Sequence, residues 1–270
     1  AAKTAGSGMV LSSDEALCVM INEEDHLRMQ ALLPGLQMDK AWMAVDQFDT
    51  ALESNLDYAF CKRRGYLTAC PTNLGTGIRV SAMLHLPGLV LSEQINQIIQ
   101  AVNKLGLAVR GLHGEGTEAL GNVFQVSNQM TLGETESDIV ERLNKVLLQI
   151  IDHEENARAK LLENKAKMVY NHIGRAYGIL ANSHSISSKE TMNLLSLFRL
   201  GIDLSLFPGN KPALTEELFI ITQPAHLQKT LEGKLSAEKR DILRANLLRS
   251  RLLKVGRPDM PDIGKTEQNE

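Results

Sequence analysis

The chain has 270 residues, a formal net charge of −3 and 43% hydrophobic residues, enough for one large domain or two ordinary ones with a sizeable core. Both signs of charge are interspersed, which argues against a nucleic-acid partner, although a local cluster of arginines could hold a nucleotide. Three cysteines without a CxxC pair argue against a disulfide framework or a structural zinc site and favour the cytoplasm. No apolar run approaches the length of a membrane span, so we expect no membrane partner.

The first predicted strand covers residues 16–21 and is followed at once by an acidic segment, Asn22–Asp25, and by Arg28. Residues 1–10 before it are predicted to be a disordered leader. Two adjacent carboxylates and an arginine directly after an apolar strand predict a functional site at the strand end. The alternative is a helix N-terminus, where acidic residues are also favoured.

The middle of the chain alternates between helical and strand patterns. Helical spacing of apolar residues predicts helices over 39–56 and 92–106, and alternation predicts a strand over 78–87 with Arg79 on the face opposite the apolar side chains. Two more strands are predicted at 107–109 and 123–126. The glycine-rich connection between them contains Glu115 and follows Arg110, and such a loop can approach a ligand closely.

From residue 135 onward the pattern is mostly helical. A long amphipathic helix is followed by another after Asn164, Ser187 with Glu190 predicts a capping box, and Ser236 opens the last helix. The predicted fold class is α+β, an antiparallel sheet flanked by helices with a mostly helical C-terminal half. We expect one domain over 11–255, with 133–255 as its helical part, and a disordered tail over 256–270.

The candidate site residues suit phosphoryl transfer to a guanidine. A guanidinium has a pKa of roughly 12.5 to 13.8, so it needs a base before it can attack phosphorus. Glu24 and Glu115 could accept its fork of donors, and the phosphoryl group could be surrounded by Arg28, Arg79 and Arg110. Cys70 could add a thiolate contact.

Taken singly, each of these residues has a structural alternative. Cys70 could be an inert buried thiol, the arginines could lie on the surface, and the glycines of 111–121 could serve a hairpin. The spacing alone leaves these alternatives open.

The stretches NEEDHLR, CPTNLGTGIR and RGLHGEGTE, which begin at Asn22, Cys70 and Arg110, together resemble the catalytic domain of phosphagen (guanidino) kinases. The segments at 83–87 and 114–122 resemble the bacterial protein-arginine kinases of the McsB type, and the resemblance continues to about Val255. His113 and Gly116 replace the arginine and histidine that are common in kinases of free guanidines, which disfavours a small-guanidino substrate.

The resemblance implies roles for particular residues and partners. Glu24 would be the catalytic carboxylate, Glu115 a second guanidinium-binding carboxylate and Cys70 a thiol contact. ATP would be bound by basic side chains, namely Arg28, Arg79, Arg110 and His26. Mg²⁺ would be carried on the ATP phosphates, with no dedicated protein metal site. The implied partners are proteins with exposed arginines, an activator subunit, a Clp-type protease chaperone and further copies of the chain.

A second motif, RDILRA, begins at Arg240 on the last predicted helix. Arg240 and Arg244 lie one turn apart, and Asp241 could pair with a guanidinium. The resemblance implies that these three residues form a phosphoarginine pocket linked to allosteric control. The structural alternative is the charged face of an amphipathic helix.

The family also has a phosphate-binding S-x-R-x-R segment, which the resemblance places before residue 1. We therefore expect the isolated chain to be a weak or inactive kinase. The first hypothesis is an ATP-dependent protein-arginine kinase that marks proteins for Clp-type proteolysis. The alternatives are a phosphoarginine-binding module without transfer activity and a kinase of a small guanidino metabolite.

Overall fold

The computed structural model describes residues 5–111, 119–229 and 234–261. The chain divides into two compact units: unit 1 comprises residues 1–83, 99–109 and 125–150, and unit 2 comprises 84–98, 110–124 and 151–270. The elements in chain order are β1 (Gly8–Leu11), β2 (Leu17–Glu23), β3 (Asp25–Ala31), α1 (Met38–Glu53), β4 (Phe60–Cys61), β5 (Gly65–Tyr66), β6 (Ser81–His85), α2 (Pro87–Leu91), α3 (Ile95–Lys104), β7 (Leu107–Gly111), β8 (Val123–Asn128), α4 (Glu136–Asn182), α5 (Ser188–Asp203), α6 (Pro212–Ile221), α7 (Pro224–Lys229) and α8 (Ala237–Leu252).

The fold class is confirmed as α+β with a mostly helical C-terminal half. Within the described segments the strands form three small sheets rather than one, with the orders β1-β2-β3, β4-β5 and β6-β8-β7. The first sheet is antiparallel, and its β2–β3 register runs from Leu17 opposite Ala31 to Glu23 opposite Asp25. This register makes β2 and β3 a hairpin whose turn is centred on Glu24.

The predicted disordered leader over 1–10 needs a correction at its end, because β1 begins at Gly8. This strand pairs with β2, with Gly8 opposite Ile21 and Leu11 opposite Cys18. Met9, Val10 and Leu11 are all exposed, so no burial alternation marks the strand in the sequence. The strand depends instead on hydrogen bonding to its neighbour, which a local pattern does not reveal.

The strand predicted over 78–87 is shorter than expected. β6 spans Ser81–His85, and Pro87 begins the short helix α2. Proline suits the first turn of a helix, and here the carboxylate of Glu154 accepts the next two backbone N–H groups, those of Gly88 and Leu89, at 2.8 Å each. The alternation itself is confirmed, since Arg79 is exposed between half-buried neighbours.

The helical half of unit 2 packs around a cluster of buried apolar side chains from α4, α5, α6 and α8, including Ile173, Phe198, Leu218 and Leu248. Both predicted caps are confirmed, because the hydroxyls of Ser187 and Ser236 accept the N–H groups of Glu190 and Lys239. α4 leaves helical geometry once, beside the predicted break at Asn164. No helix in the described segments is long and apolar enough to cross a membrane.

Candidate active site

Glu24 lies at the tip of the β2–β3 hairpin with a positive φ of 65°. Non-glycine residues rarely adopt this conformation, and such strained positions concentrate at functional sites. The segment is therefore a strand end, as the first interpretation predicted, and the alternative of a helix N-terminus is wrong.

Strand alternation places Glu24, His26 and Arg28 at exposed positions, while the residues between them are half-buried. The Arg28 Nη1 atom lies 3.4 Å from Glu24 Oε2, and the two side chains are 43% and 39% exposed. An ion pair this long and this exposed contributes little to stability, so both groups remain available to a ligand. The His26 ring is positioned by Asn22, whose Oδ1 lies 3.1 Å from Nδ1.

Cys70 precedes a 3₁₀ turn, Pro71–Asn73, and is half-buried. Its Sγ lies 3.0 Å from the hydroxyl of Thr72, and its carbonyl accepts a 2.7 Å hydrogen bond from the hydroxyl of Thr68. The cysteine is thus held by a short polar turn and does not lie in the buried core.

A carboxylate that the sequence analysis did not single out connects this turn to the hairpin. Asp25 Oδ1 accepts a 2.6 Å hydrogen bond from the backbone N–H of Ala69, and Oδ2 lies 3.5 Å from Asn73 Nδ2. Asp25, the residue directly after Glu24, therefore links the hairpin to the Cys70 turn.

The far side of the turn is fixed by Thr131, which is 4% exposed. Its hydroxyl donates to the carbonyl of Leu74 at 2.7 Å and lies 3.1 Å from that of Thr72. Gly75 has a φ of 110°, and a Cβ there would lie 2.2 Å from the Thr131 carbonyl oxygen. Only glycine permits this backbone approach.

Arg79 is exposed, and its Nη1 donates to the carbonyl of Asn128 at 3.2 Å. The buried Asn128 amide holds the same segment, because Oδ1 accepts the N–H of Val80 at 2.8 Å and Nδ2 donates to the carbonyls of Ile78 and Met130. Asn128 lies two residues beyond the strand predicted over 123–126, and neither it nor Thr131 gave a sequence signal of this role.

Arg110 lies in β7 and is exposed, as a ligand-binding role requires. Glu115 lies outside the described residues, as do His113 and Gly116. Hydrogen bonds therefore join the Glu24 and Cys70 segments. The Arg79 segment is held separately, by Asn128.

The RDILRA motif forms part of α8, where Arg244 is only 1% exposed. Its Nε donates to the carbonyl of Thr222, and its Nη1 donates to the carbonyl of Ile186, both at 2.8 Å, and to Asp241 Oδ1 at 2.5 Å. Arg244 therefore does not present a free guanidinium, contrary to the expectation that it grips a phosphate beside Arg240. Arg240 and Asp241 are half-buried and remain accessible.

His85, in the segment at 83–87, is half-buried in unit 2. Its Nε2 lies 2.8 Å from the hydroxyl of Ser196, which also accepts from Asn122 Nδ2. Burial, aided by the positive charge of Arg158, lowers the pKa of His85 to about 3. The imidazole is therefore neutral near pH 7.

Two models of known protein families match the chain. Residues 1–157, more than half of the chain, match the model of the ATP:guanido phosphotransferase C-terminal catalytic domain. Residues 166–263 match the model of the protein-arginine kinase McsB C-terminal domain.

Curated relatives include the protein-arginine kinase of Halalkalibacterium halodurans, 52% identical over 244 residues, which cover 90% of this chain and 68% of that protein. The protein-arginine kinase of Bacillus subtilis is 51% identical over 245 residues, 91% of this chain and 68% of that protein. Among solved structures, lombricine kinase superposes with a TM-score of 0.51 at 30% identity, over 57% of this chain and 43% of that one.

The chain belongs to the ATP:guanido phosphotransferase family. Within that family its curated relatives are protein-arginine kinases, and the second half of the chain carries the domain specific to them. The resemblance inferred from the sequence motifs is confirmed.

Proposed function

We propose that this chain transfers the γ-phosphoryl group of ATP to arginine side chains of proteins. The observation that carries the proposal is the hairpin, which presents the carboxylate of Glu24 and the guanidinium of Arg28 on one exposed face with the Cys70 turn bonded to the residue between them. The relatives' names support a protein arginine as the acceptor.

In the proposed reaction Glu24 takes a proton from the substrate guanidinium, whose freed nitrogen attacks the γ-phosphorus of ATP. A nitrogen–phosphorus bond forms, the bond from the γ-phosphorus to the β,γ-bridging oxygen breaks, and ADP leaves with that oxygen. Arg28, Arg79 and Arg110 offset the charge of the phosphates, as cationic side chains do in other phosphoryl transfers. Glu115 and Cys70 orient the guanidinium, and His26 contributes to ATP binding.

Magnesium fits this proposal as an ion carried by ATP. In the described segments no group of three or more His, Cys, Asp or Glu side chains could hold a metal ion. Mg²⁺ commonly keeps several waters and binds nucleotide phosphates, so it would neutralise phosphate charge without a protein cage. The residues of the site then need only bind the ATP phosphates around it.

The wider role is also a proposal. Phosphoarginine on a protein would mark it for a Clp-type protease in the cytoplasm, with an activator subunit and self-association controlling the kinase, as the McsB-type resemblance implies. The C-terminal family match over residues 166–263 supports a kinase of this type.

The test is incubation of the chain with Mg-ATP and an unfolded arginine-rich protein, followed by mass spectrometry that preserves acid-labile N–P bonds. Glu24→Gln should lower phosphoarginine formation about a thousandfold while leaving ATP binding intact by calorimetry. Glu15→Gln is the matched control, because Glu15 is an exposed glutamate with a φ of 58° in the β1–β2 turn of the same sheet. Full turnover by Glu24→Gln would contradict the proposal, as would absence of phosphoarginine from the unaltered chain at enzyme concentrations high enough to reveal a weak kinase.

A second candidate function is phosphoarginine binding at α8. The accessible Arg240 and Asp241 favour it, with Arg244 acting through its bond to Asp241. Titration of free phosphoarginine into the chain should give binding that Arg240→Ala abolishes and Glu24→Gln leaves unchanged. Equal affinity of Arg240→Ala and the unaltered chain would exclude this pocket.

A further inference from the structure

The carboxylate of Asp25 lies between two candidate catalytic groups without being one of them. It follows Glu24 directly, and strand alternation turns its side chain to the face opposite Glu24 and His26. Its partners lie 44 and 48 residues away along the chain, on either side of Cys70. A local turn does not require such long-range bonds.

We infer that Asp25 is a positioning residue that fixes the Cys70 turn relative to Glu24, and this inference rests on the proposed function. Ala69 and Asn73 bracket Cys70, so one carboxylate holds the chain on both sides of the thiol. The 2.6 Å bond from the Ala69 N–H is short and charge-assisted, and it is the dominant restraint of the two. The 3.5 Å approach of Asn73 Nδ2 is secondary.

Within the turn, the Thr68 hydroxyl donates to the Cys70 carbonyl at 2.7 Å. A further restraint lies at the far side of the turn and comes from a different part of the chain. Thr131, which follows β8, bonds to the carbonyls of Thr72 and Leu74. These bonds fix the backbone after Cys70, whereas the bond from the Ala69 N–H to Asp25 is the one that ties the backbone before Cys70 to the hairpin. Loss of the Asp25 carboxylate should therefore loosen Cys70 without unfolding the loop beyond it.

The chemical consequence follows from the distance tolerance of phosphoryl transfer. A group misplaced by about 1 Å can cost about a hundredfold in rate, because the reacting atoms leave their in-line geometry. If Cys70 contacts the substrate guanidinium while Glu24 takes its proton, their separation must be held. Asp25 supplies that restraint without touching the substrate.

The first measurement is the rate of alkylation of Cys70 by iodoacetamide, followed by peptide mass spectrometry. Asp25→Ala should raise that rate about tenfold. Losing one charge-assisted hydrogen bond should favour the loosened turn, in which the thiol is accessible, by about that factor. Cys61, also half-buried, reports general loosening in the same molecule and should be unchanged. Asp25→Asn, which keeps an oxygen for the Ala69 N–H, should remain within about threefold of the unaltered chain.

The matched control is Asp14→Ala. Asp14 lies in the turn at the opposite end of β2, and its Oδ1 likewise accepts a backbone N–H, that of Ala16, at 3.1 Å. This variant should leave Cys70 alkylation unchanged. An unaltered Cys70 rate in Asp25→Ala, or an equal rise at Cys61, would overturn the inference.

The second measurement separates positioning from a general structural role. Asp25→Ala should lower kcat/KM for the arginine acceptor about tenfold to a hundredfold, with KM for ATP nearly unchanged. In a Cys70→Ala background the same substitution should cost much less, because it would act through a thiol that is no longer there. Equal costs in both backgrounds would overturn the inference.

Failure of the proposed function would look different. If the unaltered chain forms no phosphoarginine, the kcat/KM values of the Asp25 and Cys70 variants cannot be compared. The alkylation rates would still decide whether Asp25 fixes Cys70.

Discussion

Two arginines of the chain, Arg28 and Arg244, have opposite environments. In unit 1, the Arg28 side chain is 43% exposed, and its Nη1 lies 3.4 Å from Glu24 Oε2. In unit 2, Arg244 is 1% exposed and donates to two backbone carbonyls and to Asp241. Both arginines belong to family motifs, so motif membership does not tell which guanidinium is open to a ligand. The burial of each guanidinium and its hydrogen-bond partners give that information.

Two carboxylates, Glu24 and Glu154, differ in exposure and bonding in the same way as the two arginines. Glu24 is exposed at a strained turn, whereas Glu154 in unit 2 accepts the N–H groups of Gly88 and Leu89 and the Nε of Arg158 at 2.6 Å. A carboxylate saturated in this way stabilises a helix end and has little capacity left for a substrate. The hairpin thus holds an open carboxylate, and a satisfied one lies at the start of α2.

The largest expected effect concerns an open arginine. Arg79→Ala should lower phosphoarginine formation about a thousandfold, as loss of a charge-stabilising arginine does in phosphoryl transfer, with an unchanged midpoint of thermal unfolding. Arg63→Ala, in the turn between β4 and β5, is the control and should match the unaltered chain. A fall in the unfolding midpoint large enough to explain the lost activity would show that Arg79 stabilises the fold, and would contradict its assignment as an open arginine.

The satisfied arginine should behave in the reverse way. Arg244→Ala leaves the carbonyls of Thr222 and Ile186 without their donor, so we expect about 3 kcal/mol less free energy of unfolding in urea denaturation. Arg240→Ala, four residues earlier on α8, should cost less than about 0.5 kcal/mol. Equal losses in the two variants would show that Arg244 is not structural.

The backbone of the site can be tested with two glycines. Gly75→Ala should cost about 3 kcal/mol, because a Cβ would lie 2.2 Å from the Thr131 carbonyl oxygen at a φ of 110°. Gly77→Ala, with a φ of 66° and its nearest atom at 3.7 Å, should cost only about 1 kcal/mol. Chemical denaturation of both variants measures the difference, and equal costs would mean that the close approach does not form.

The smallest effect is a pH dependence in unit 2. The pKa of His85 is lowered to about 3, so between roughly pH 3 and 6.5 the unfolded state binds the proton that the folded state excludes. Stability should therefore fall by about 2 kcal/mol from pH 7 to pH 5 through this group. His85→Gln should remove that part of the slope, and an unchanged slope would show that His85 is not buried as a neutral ring.

Much of the fold could be predicted from the sequence, for identifiable reasons. The helices over 38–53 and 136–182 and the caps at Ser187 and Ser236 depend on local spacing and local hydrogen bonds, which a sequence displays. β1 could not be predicted, because its residues are exposed and only its pairing with β2 makes it a strand. The two-residue strands β4 and β5 are too short to show a period.

The sequence allowed candidate site residues to be proposed, but it did not reveal the residues that hold them in place. Glu24, Cys70 and Arg79 were identified because their residue types suit the chemistry. Asp25 and Asn128 act through hydrogen bonds spanning more than 40 residues, and no local pattern encodes such bonds. The burial of Arg244 was missed for the same reason, since both its carbonyl partners lie on other segments.

The most direct test of the contrast is modification of the folded chain with phenylglyoxal, which reacts with accessible guanidinium groups, followed by peptide mass spectrometry with and without Mg-ATP. We expect Arg28 and Arg79 to be modified rapidly and protected by Mg-ATP, and Arg244 to remain unmodified in both conditions. Modification of Arg244 at the rate of Arg79, or no protection of Arg28 and Arg79 by Mg-ATP, would contradict the assignment of open and satisfied arginines.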